Sequence, residues 1–475
     1  MWNKLNKSMM VCQMSFGLSF YGVMAILTRF FLEDLNYSEA ETMMVVGAFS
    51  SIGPLFAIAG GFIADKYLGI FRSLSIAYFS FALGYLLLVI GAMSINIPLS
   101  LAGIALASYA RGLMSPSYPS LFKKTFDTQE NFENACPVNY SVNNVGAFLS
   151  QYIFPLLVLT IGFSGGFIIS CVIAALAFFI LIYSKRSFIA VAAPIDQNPI
   201  GLKNWSIFYA LSIIMIGLVF FMFNDIEMGK NIVYIIGAGA IAYFIYLMIK
   251  AERSDTLKMG TILIITFLST AFFVYYCQMM TSMPLVTINT MRGDLFGLIP
   301  IAPEAAMAMN PLWCMVAGPV IAWFFSNLEK RNISLSTSTK IALSFILTAI
   351  AFGILTVAVR NIGVDIVIRP SVFLVVHFFQ AFAEVIVGSM VVAFILSVAP
   401  KHIESFSVSL FSVAIALSGI VGAVFSTSIA LEKGQKITQE IVQNVYGDYF
   451  GTLTVWAVVM VGVALLASVG IRKMI

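Results

Sequence analysis

Residues 373–398 read FLVVHFFQAFAEVIVGSMVVAFILSV, an apolar run that carries one carboxylate, Glu384, and one imidazole, His377. About 20 apolar residues in helical form cross the hydrocarbon core of a bilayer, whereas a barrel strand needs only about ten alternating ones. The run therefore specifies a membrane-spanning helix. A carboxylate at that depth is unfavourable by roughly 2.5–3.5 kcal/mol on insertion scales unless it faces a partner or a wet cavity, so it marks a functional site. Arg111, in ALASYARGLMSP, is its basic counterpart within the membrane.

The rest of the chain has the same character. Its 475 residues are 60% hydrophobic and 10% charged, with a mean hydropathy of +0.97. This excludes a soluble domain and indicates an all-α polytopic membrane protein. Fourteen spans are expected between residues 10 and 471. Of the 26 Lys and Arg residues, 18 fall in loops of one parity and 7 in the other, with Arg111 alone inside the membrane. The positive-inside rule then places both termini in the cytoplasm. The run after MWNKLNK is too long for a signal peptide and lacks a small-residue cleavage site, so it reads as a retained first helix. The net charge of +4 is spread over short loops, and no nucleic-acid partner is expected. The five cysteines lie mostly in apolar stretches without a CxxC pair, so neither a disulfide framework nor a metal site is expected.

Two polar linkers divide the chain. SKRSFIAVAAPIDQNPIGLK (residues 184–203) follows six spans, and KAERSDTLK (250–258) follows two more. The expected division is an N-terminal six-helix bundle (1–183), a linker with an inserted helix pair (184–258) and a C-terminal six-helix bundle (259–475). Two bundles about a midplane cavity is the logic of alternating-access carriers. Fourteen helices without an internal repeat is the plainer alternative.

GGFIADKYLGIFR (Gly60–Arg72) joins the second and third spans. Gly60 and Gly61 allow close helix approach, and Asp65, Lys66 and Arg72 can form a gating charge cluster; a solvated tight turn is the alternative reading. The segment resembles the corresponding loop of the major facilitator superfamily. Several further segments together resemble the proton-dependent oligopeptide transporter family of that superfamily. NYSVNNVGAFLSQYIFPLL (139–157) is similar to its fifth helix, with Asn144 matched, and FFVYYCQMM (272–280) to its seventh, with Gln278. MAMNPLWCMVAGPVIAW (307–323) resembles its eighth helix, with Asn310. AEVIVGSMVVAFILSVAPKHIES (383–405) resembles its tenth, with Glu384 as the acidic residue and Ala399-Pro400-Lys401 as the following loop. The resemblance implies the major facilitator fold with two extra helices and a bacterial inner-membrane location.

The departures are equally specific. In QMSFGLSFYGVMAIL (13–27), Gln13, Phe16 and Gly17 occupy the family's acidic-acidic-Arg cluster, while Tyr21 and Gly22 are retained. The fourth-helix Lys-Pro is Ser115-Pro116, and the seventh-helix glutamate is Cys277. The resemblance implies that Glu384, Asn144 and Asn310 hold a substrate amino terminus, with Gln278, Tyr21, Gln13 and Ser115 at neighbouring family positions. A carboxylate with two amides suits an ammonium. Arg111 could take a substrate carboxylate; a structural ion pair with Glu384 or a snorkelled anchor is the alternative. His377 lies about two turns before Glu384 and could relay protons, or simply hydrogen-bond within its bundle.

The expected function is secondary transport of a small amine-bearing solute, a peptide or peptide-like metabolite, with altered or weakened proton coupling. Glu384 and His377 are the proton-coupling candidates, and no cofactor beyond a proton gradient is expected. The expected partners are the solute and the lipid bilayer, with the chain a monomer. A non-transporting receptor on a transporter scaffold, or an exporter of an amino-acid-derived or metal-chelating metabolite, is the alternative. No HExxH motif points to an enzyme.

Overall fold

The computed structural model describes residues 2–192, 194–333, 335–400 and 403–474, and the side chains of 389, 404, 405 and 473 also fall outside that description. Lys401, in the loop after the Glu384 helix, lies outside the described residues. The chain is helical throughout: α1 (Lys4–Arg29), α2 (Glu39–Ile63), α3 (Ile70–Ser94), α4 (Ile97–Lys124), α5 (Gln129–Tyr183), α6 (Lys185–Val191), α7 (Pro194–Gln197), α8 (Leu202–Asn224), α9 (Ile226–Lys250), α10 (Arg253–Gln278), α11 (Ser282–Thr290), α12 (Met309–Lys330), α13 (Thr337–Arg360), α14 (Pro370–Val398), α15 (Glu404–Ser426), α16 (Gln439–Ile441) and α17 (Gly447–Met474). Among the described residues, 13 helices are long and apolar enough to cross a membrane. One of them, α5, has 55 residues and breaks at Gly162, where φ is +68°. At 1.5 Å per residue it would be about 80 Å long, over twice the hydrocarbon thickness, so it supplies two spans. The fourteen expected spans are accounted for.

The chain packs into two units, Met1–Tyr37 with Ala48–Lys230, and Ser38–Gly47 with Asn231–Ile475. The inserted pair is shared out, with α8 in the first unit and α9 almost wholly in the second.

In the first unit α1 packs on α5, and α3 on α4 and α5. These seams are backbone-close, as expected where small residues rather than hydrophobic exclusion bring helices together. A Cβ on Gly84 of α3 would lie 2.8 Å from the Gly103 carbonyl of α4. On the α1–α5 seam, a Cβ on Gly17 would lie 2.5 Å from the Asn143 carbonyl, and one on Gly146 2.6 Å from that of Met14. Gly17, which the resemblance sets at the family's arginine position, is the contact that lets the two backbones meet. Gly17→Arg should therefore not restore a charge cluster. It should overpack the seam, at a cost of about 1–3 kcal/mol or more, read as a lower melting temperature in detergent; an unchanged melting temperature would contradict this packing.

In the second unit α13 packs on α14 and α17, α10 on α15, and α12 on α14. The start of α2 is tied here by Glu39, whose carboxylate accepts the Leu431 N–H at 2.7 Å and the Asn289 amide at 3.4 Å. Asn289 also donates to the Tyr446 hydroxyl at 2.9 Å.

The Gly60–Arg72 loop belongs to the first unit and differs from expectation. A Cβ at Gly60 would overlap the Gly112 carbonyl of α4, so this glycine does permit close approach; Gly61 meets only Pro116 at ordinary distance. Asp65 and Lys66 are exposed and make no ion pair or hydrogen bond among the described residues. The expected charge cluster is not formed, because Arg72 is engaged elsewhere. Its guanidinium donates to the carbonyls of Leu68, Ile195, Asp196 and Asn198 at 2.7–3.1 Å. The Asp196 carboxylate, from the linker helix α7, accepts the Phe71 and Arg72 N–H groups at 3.3 Å and caps α3. Burial pushes the Asp196 carboxyl up, partly offset by those N–H groups and the Arg72 charge. The linker is thus locked onto the loop through Arg72 and Asp196.

Candidate functional site

The polar centre of the second unit is built by α12 and α14. The two helices pack together and are pinned by Trp313, whose indole donates to the Leu374 carbonyl at 2.9 Å. Glu384 is half-buried near the middle of α14. Its Oε2 accepts the Asn310 amide at 3.1 Å and the Cys314 thiol at 3.8 Å. Cys314 also lies 3.6 Å from Asn310 Oδ1. Asn310 and Cys314 stand one helical turn apart, so one face of α12 meets the carboxylate. Glu384 Oε1 has no hydrogen-bond partner among the described residues. An oriented carboxylate with one oxygen fixed and one unpartnered can accept a donor, and a cationic donor best.

Two further polar side chains share that helix at i, i+3, i+7 spacing: His377, Gln380 and Glu384. His377 is 1% exposed and Gln380 8%. His377 Nδ1 and Gln380 Oε1 are buried without hydrogen-bond partners among the described residues. The Gln380 amide lies 3.2 Å from the Met283 sulfur, and Gln380 also borders a small internal space with Tyr275, Tyr276 and Met279. Sequence reading missed Gln380, although its place one turn before Glu384 on the same face was a usable signal.

Gln278, expected near the substrate, is fully buried and saturated. Its amide donates to the Val274 and Gly422 carbonyls, and its oxygen accepts from Ser282, Ser426 and Tyr449. It ties α10, α15 and α17 together and has no capacity left for a solute. Cys277, at the family's glutamate position, donates to the Gly419 carbonyl at 3.1 Å.

In the first unit, Arg111 is held locally. Its Nη1 donates to the Ser50 carbonyl at 2.6 Å, and its guanidinium lies 4.8 Å from the Phe20 ring centroid. A carbonyl and an aromatic face both stabilise the charge. Ser115, one turn on, is exposed and donates to the Arg111 carbonyl at 2.8 Å. Asn144 is buried and its amide donates to the Tyr140 carbonyl of its own helix at 3.0 Å. Tyr21 packs edge-on against Phe16 and Phe20. Gln13 Oε1, Asn143 Oδ1 and Gln151 Oε1 are buried without hydrogen-bond partners among the described residues. Of these only Gln13 was singled out from the sequence; Asn143, adjacent to Asn144, and Gln151 were not.

The comparisons agree with this architecture. Dipeptide and tripeptide permease B of Edwardsiella piscicida is 24% identical over 424 residues, covering 87% of this chain and 84% of its own. The protein of that name from Aliivibrio fischeri is 26% identical over 415 residues, covering 86% and 82%. The solved structure of tetrameric PepTSo2 superposes with a TM-score of 0.87 at 22% identity over 99% of both chains, which establishes a shared fold. A sequence profile of the POT family matches residues 72–442, and the chain belongs to that family.

Proposed function

We propose that this protein is a secondary carrier that moves a small amine-bearing solute, a peptide or peptide-like metabolite, across the inner membrane by alternating access. The observation that carries this reading is Glu384: a half-buried carboxylate in a membrane-crossing helix, with one oxygen set by Asn310 and the other without a partner among the described residues. An ammonium supplies the charge and the donors that such an oxygen lacks. The relatives' names, dipeptide and tripeptide permease, support a peptide amino terminus as the group recognised and favour carriage over sensing or export.

A proton gradient is the proposed driving force, with coupling weakened relative to the family. Gln13, Phe16, Gly17 and Cys277 cannot exchange protons as carboxylates do, and Ser115 carries no charge. Glu384 is the proposed proton carrier, with His377 on the same helix face. Within the first unit, Gln13 and Asn143 are the proposed solute-facing groups, supported by their unpartnered amide oxygens. Arg111, Asn144 and Gln278 are proposed to be structural, on the strength of the local partners each engages. Both termini are proposed to face the cytoplasm, on the basic-residue asymmetry; a periplasmic reporter fused at the C-terminus and found active there would refute it. A monomer is the proposed working unit, which light scattering in detergent at the mass of one chain, 51.9 kDa, would support and a tetrameric mass would refute.

The test is a thermal-shift comparison of dialanine with N-acetyl-dialanine on the purified protein. A ligand that binds only the folded state at 100 times its Kd stabilises it by about 2.7 kcal/mol. Dialanine should raise the melting temperature and the acetylated form should not. Equal shifts by both would remove the amine from the account.

A further inference from the structure

An open groove of about 710 Å³ runs between the first helix and the end of α5, wholly within the first unit. Its two ends differ in chemistry. At one end stand Lys4 and Lys7, with Ser8 beside them. Lys4 Nζ lies 5.4 Å from the ring centroid of Tyr183 on the opposite wall. At the other end the walls are apolar and outward-facing: Val11 is 48% exposed and Phe179 61%. Because α1 leads from Lys4 to Val11 while α5 arrives at Tyr183, the lysines and the tyrosine share one end and the apolar residues the other. Seven residues of helix separate Lys4 from Val11 and four separate Lys7 from it, rises of about 10 and 6 Å.

The charge in the groove is of one sign. None of the residues lining it is acidic, and the first turn of α1 holds no acidic residue either. The α1 N-terminus adds the positive end of a 26-residue helix dipole. That N-terminus is also fixed in place. Asn3 and Asn6 cap it reciprocally at 2.9 Å, and the Asn3 amide donates to the Thr125 carbonyl at 2.9 Å. The lysines therefore stand on a rigid platform rather than on a fraying end. Trp2, 39% exposed, lies at the same end, where an indole suits the level of lipid headgroups.

We infer that this groove is a binding site for one anionic phospholipid of the leaflet on the N-terminal side of the chain, its phosphodiester held between Lys4 and Lys7 and an acyl chain lying along Val11 and Phe179. A zwitterionic lipid would bring its own ammonium to a wall that already carries two, so the site selects for net negative charge. A lipid there would bridge α1 and α5, the two helices whose backbones meet at Gly17 and Gly146.

The experiment uses the purified full chain in detergent micelles titrated with phosphatidylglycerol or phosphatidylcholine carrying brominated acyl chains. The readout is quenching assigned to Trp2, taken as the difference from a Trp2→Phe variant. Two lysines at a membrane surface predict a preference for phosphatidylglycerol of about 30-fold. Lys4→Gln/Lys7→Gln should reduce that preference to about twofold, whereas Lys330→Gln/Arg331→Gln, which removes the same charge from another loop, should leave it intact. Phe179→Asn, which makes the apolar end polar, should weaken binding of the brominated lipid while the lysines remain. Inorganic phosphate at millimolar concentration should not displace the lipid. Equal quenching by the two lipids, retention of the preference in the double lysine variant, equal loss in the control pair, or displacement by phosphate would each overturn the site.

Discussion

Glu384→Gln should reduce solute affinity by about 10- to 150-fold, the equivalent of one charge-assisted hydrogen bond at about 1.5–3 kcal/mol. The substitution keeps the size of the side chain and an oxygen that can accept the Asn310 amide, now at 3.1 Å from Oε2. It removes the charge and places an N–H₂ where Oε1 stands. Two donors would then face each other where an ammonium meets a carboxylate. Folding should be little affected, because the α12–α14 seam and the Trp313 bond to Leu374 are untouched. In proteoliposomes the variant should retain downhill exchange at high solute concentration and lose accumulation against a gradient. Half-saturation unchanged from wild type, in protein with an unchanged melting temperature, would show that Glu384 does not meet the solute. Strong pH-gradient-driven accumulation would show that another group carries the proton.

Gly69→Ala should be the most destabilising of the single-methyl changes in the loop between α2 and α3. Gly69 sits at φ +90° and ψ 160°, a conformation essentially reserved for glycine. Strain there is worth about 1–3 kcal/mol. The added methyl would also overlap the Asp196 carboxylate, displacing the group that caps α3 at Phe71 and Arg72. Loss of a helix cap adds about 1 kcal/mol. Gly201→Ala is the control, since Gly201 has φ −67° and nothing within 4 Å of an added Cβ. Melting temperatures in detergent should fall for Gly69→Ala and hold for Gly201→Ala. Asp196→Ala should also destabilise, and the double variant should lose less than the sum, because the overlap disappears with the carboxylate. Strict additivity would mean that Gly69 and Asp196 do not share the contact described here.

Much of the fold was legible in the sequence, because a bilayer leaves few options. Apolar runs of span length and the parity of basic loops specify a helical bundle before any packing is known. The family resemblance implied that Asn310 and Glu384 serve one substrate group, and the hydrogen bond between them is seen only in the structure. What escaped was the local satisfaction of polar groups. Arg111 reads as a ligand because an intramembrane charge is costly, yet a carbonyl of α2 and the Phe20 ring meet that cost. Gly17 reads as a lost arginine and is a backbone contact. Gln278 matches a family position and is consumed by five hydrogen bonds. Arg72 reads as part of a charge cluster with Asp65, but three of its four carbonyl partners lie 123–126 residues away in the linker, beyond the reach of any local pattern.

The central claim is recognition of a solute amine at Glu384, and uptake competition tests it most directly. Proteoliposomes holding the wild-type protein would be given labelled dialanine under an inward proton gradient, with unlabelled dialanine or N-acetyl-dialanine as competitor. Acetylation removes the ammonium and leaves the rest of the peptide intact. Protein-dependent uptake that dialanine suppresses, and that a tenfold excess of the acetylated form leaves within about twofold of the uncompeted rate, is the predicted result, given that each 1.4 kcal/mol lost is tenfold in affinity. Equal competition by the two forms, or no protein-dependent uptake at all, would contradict it.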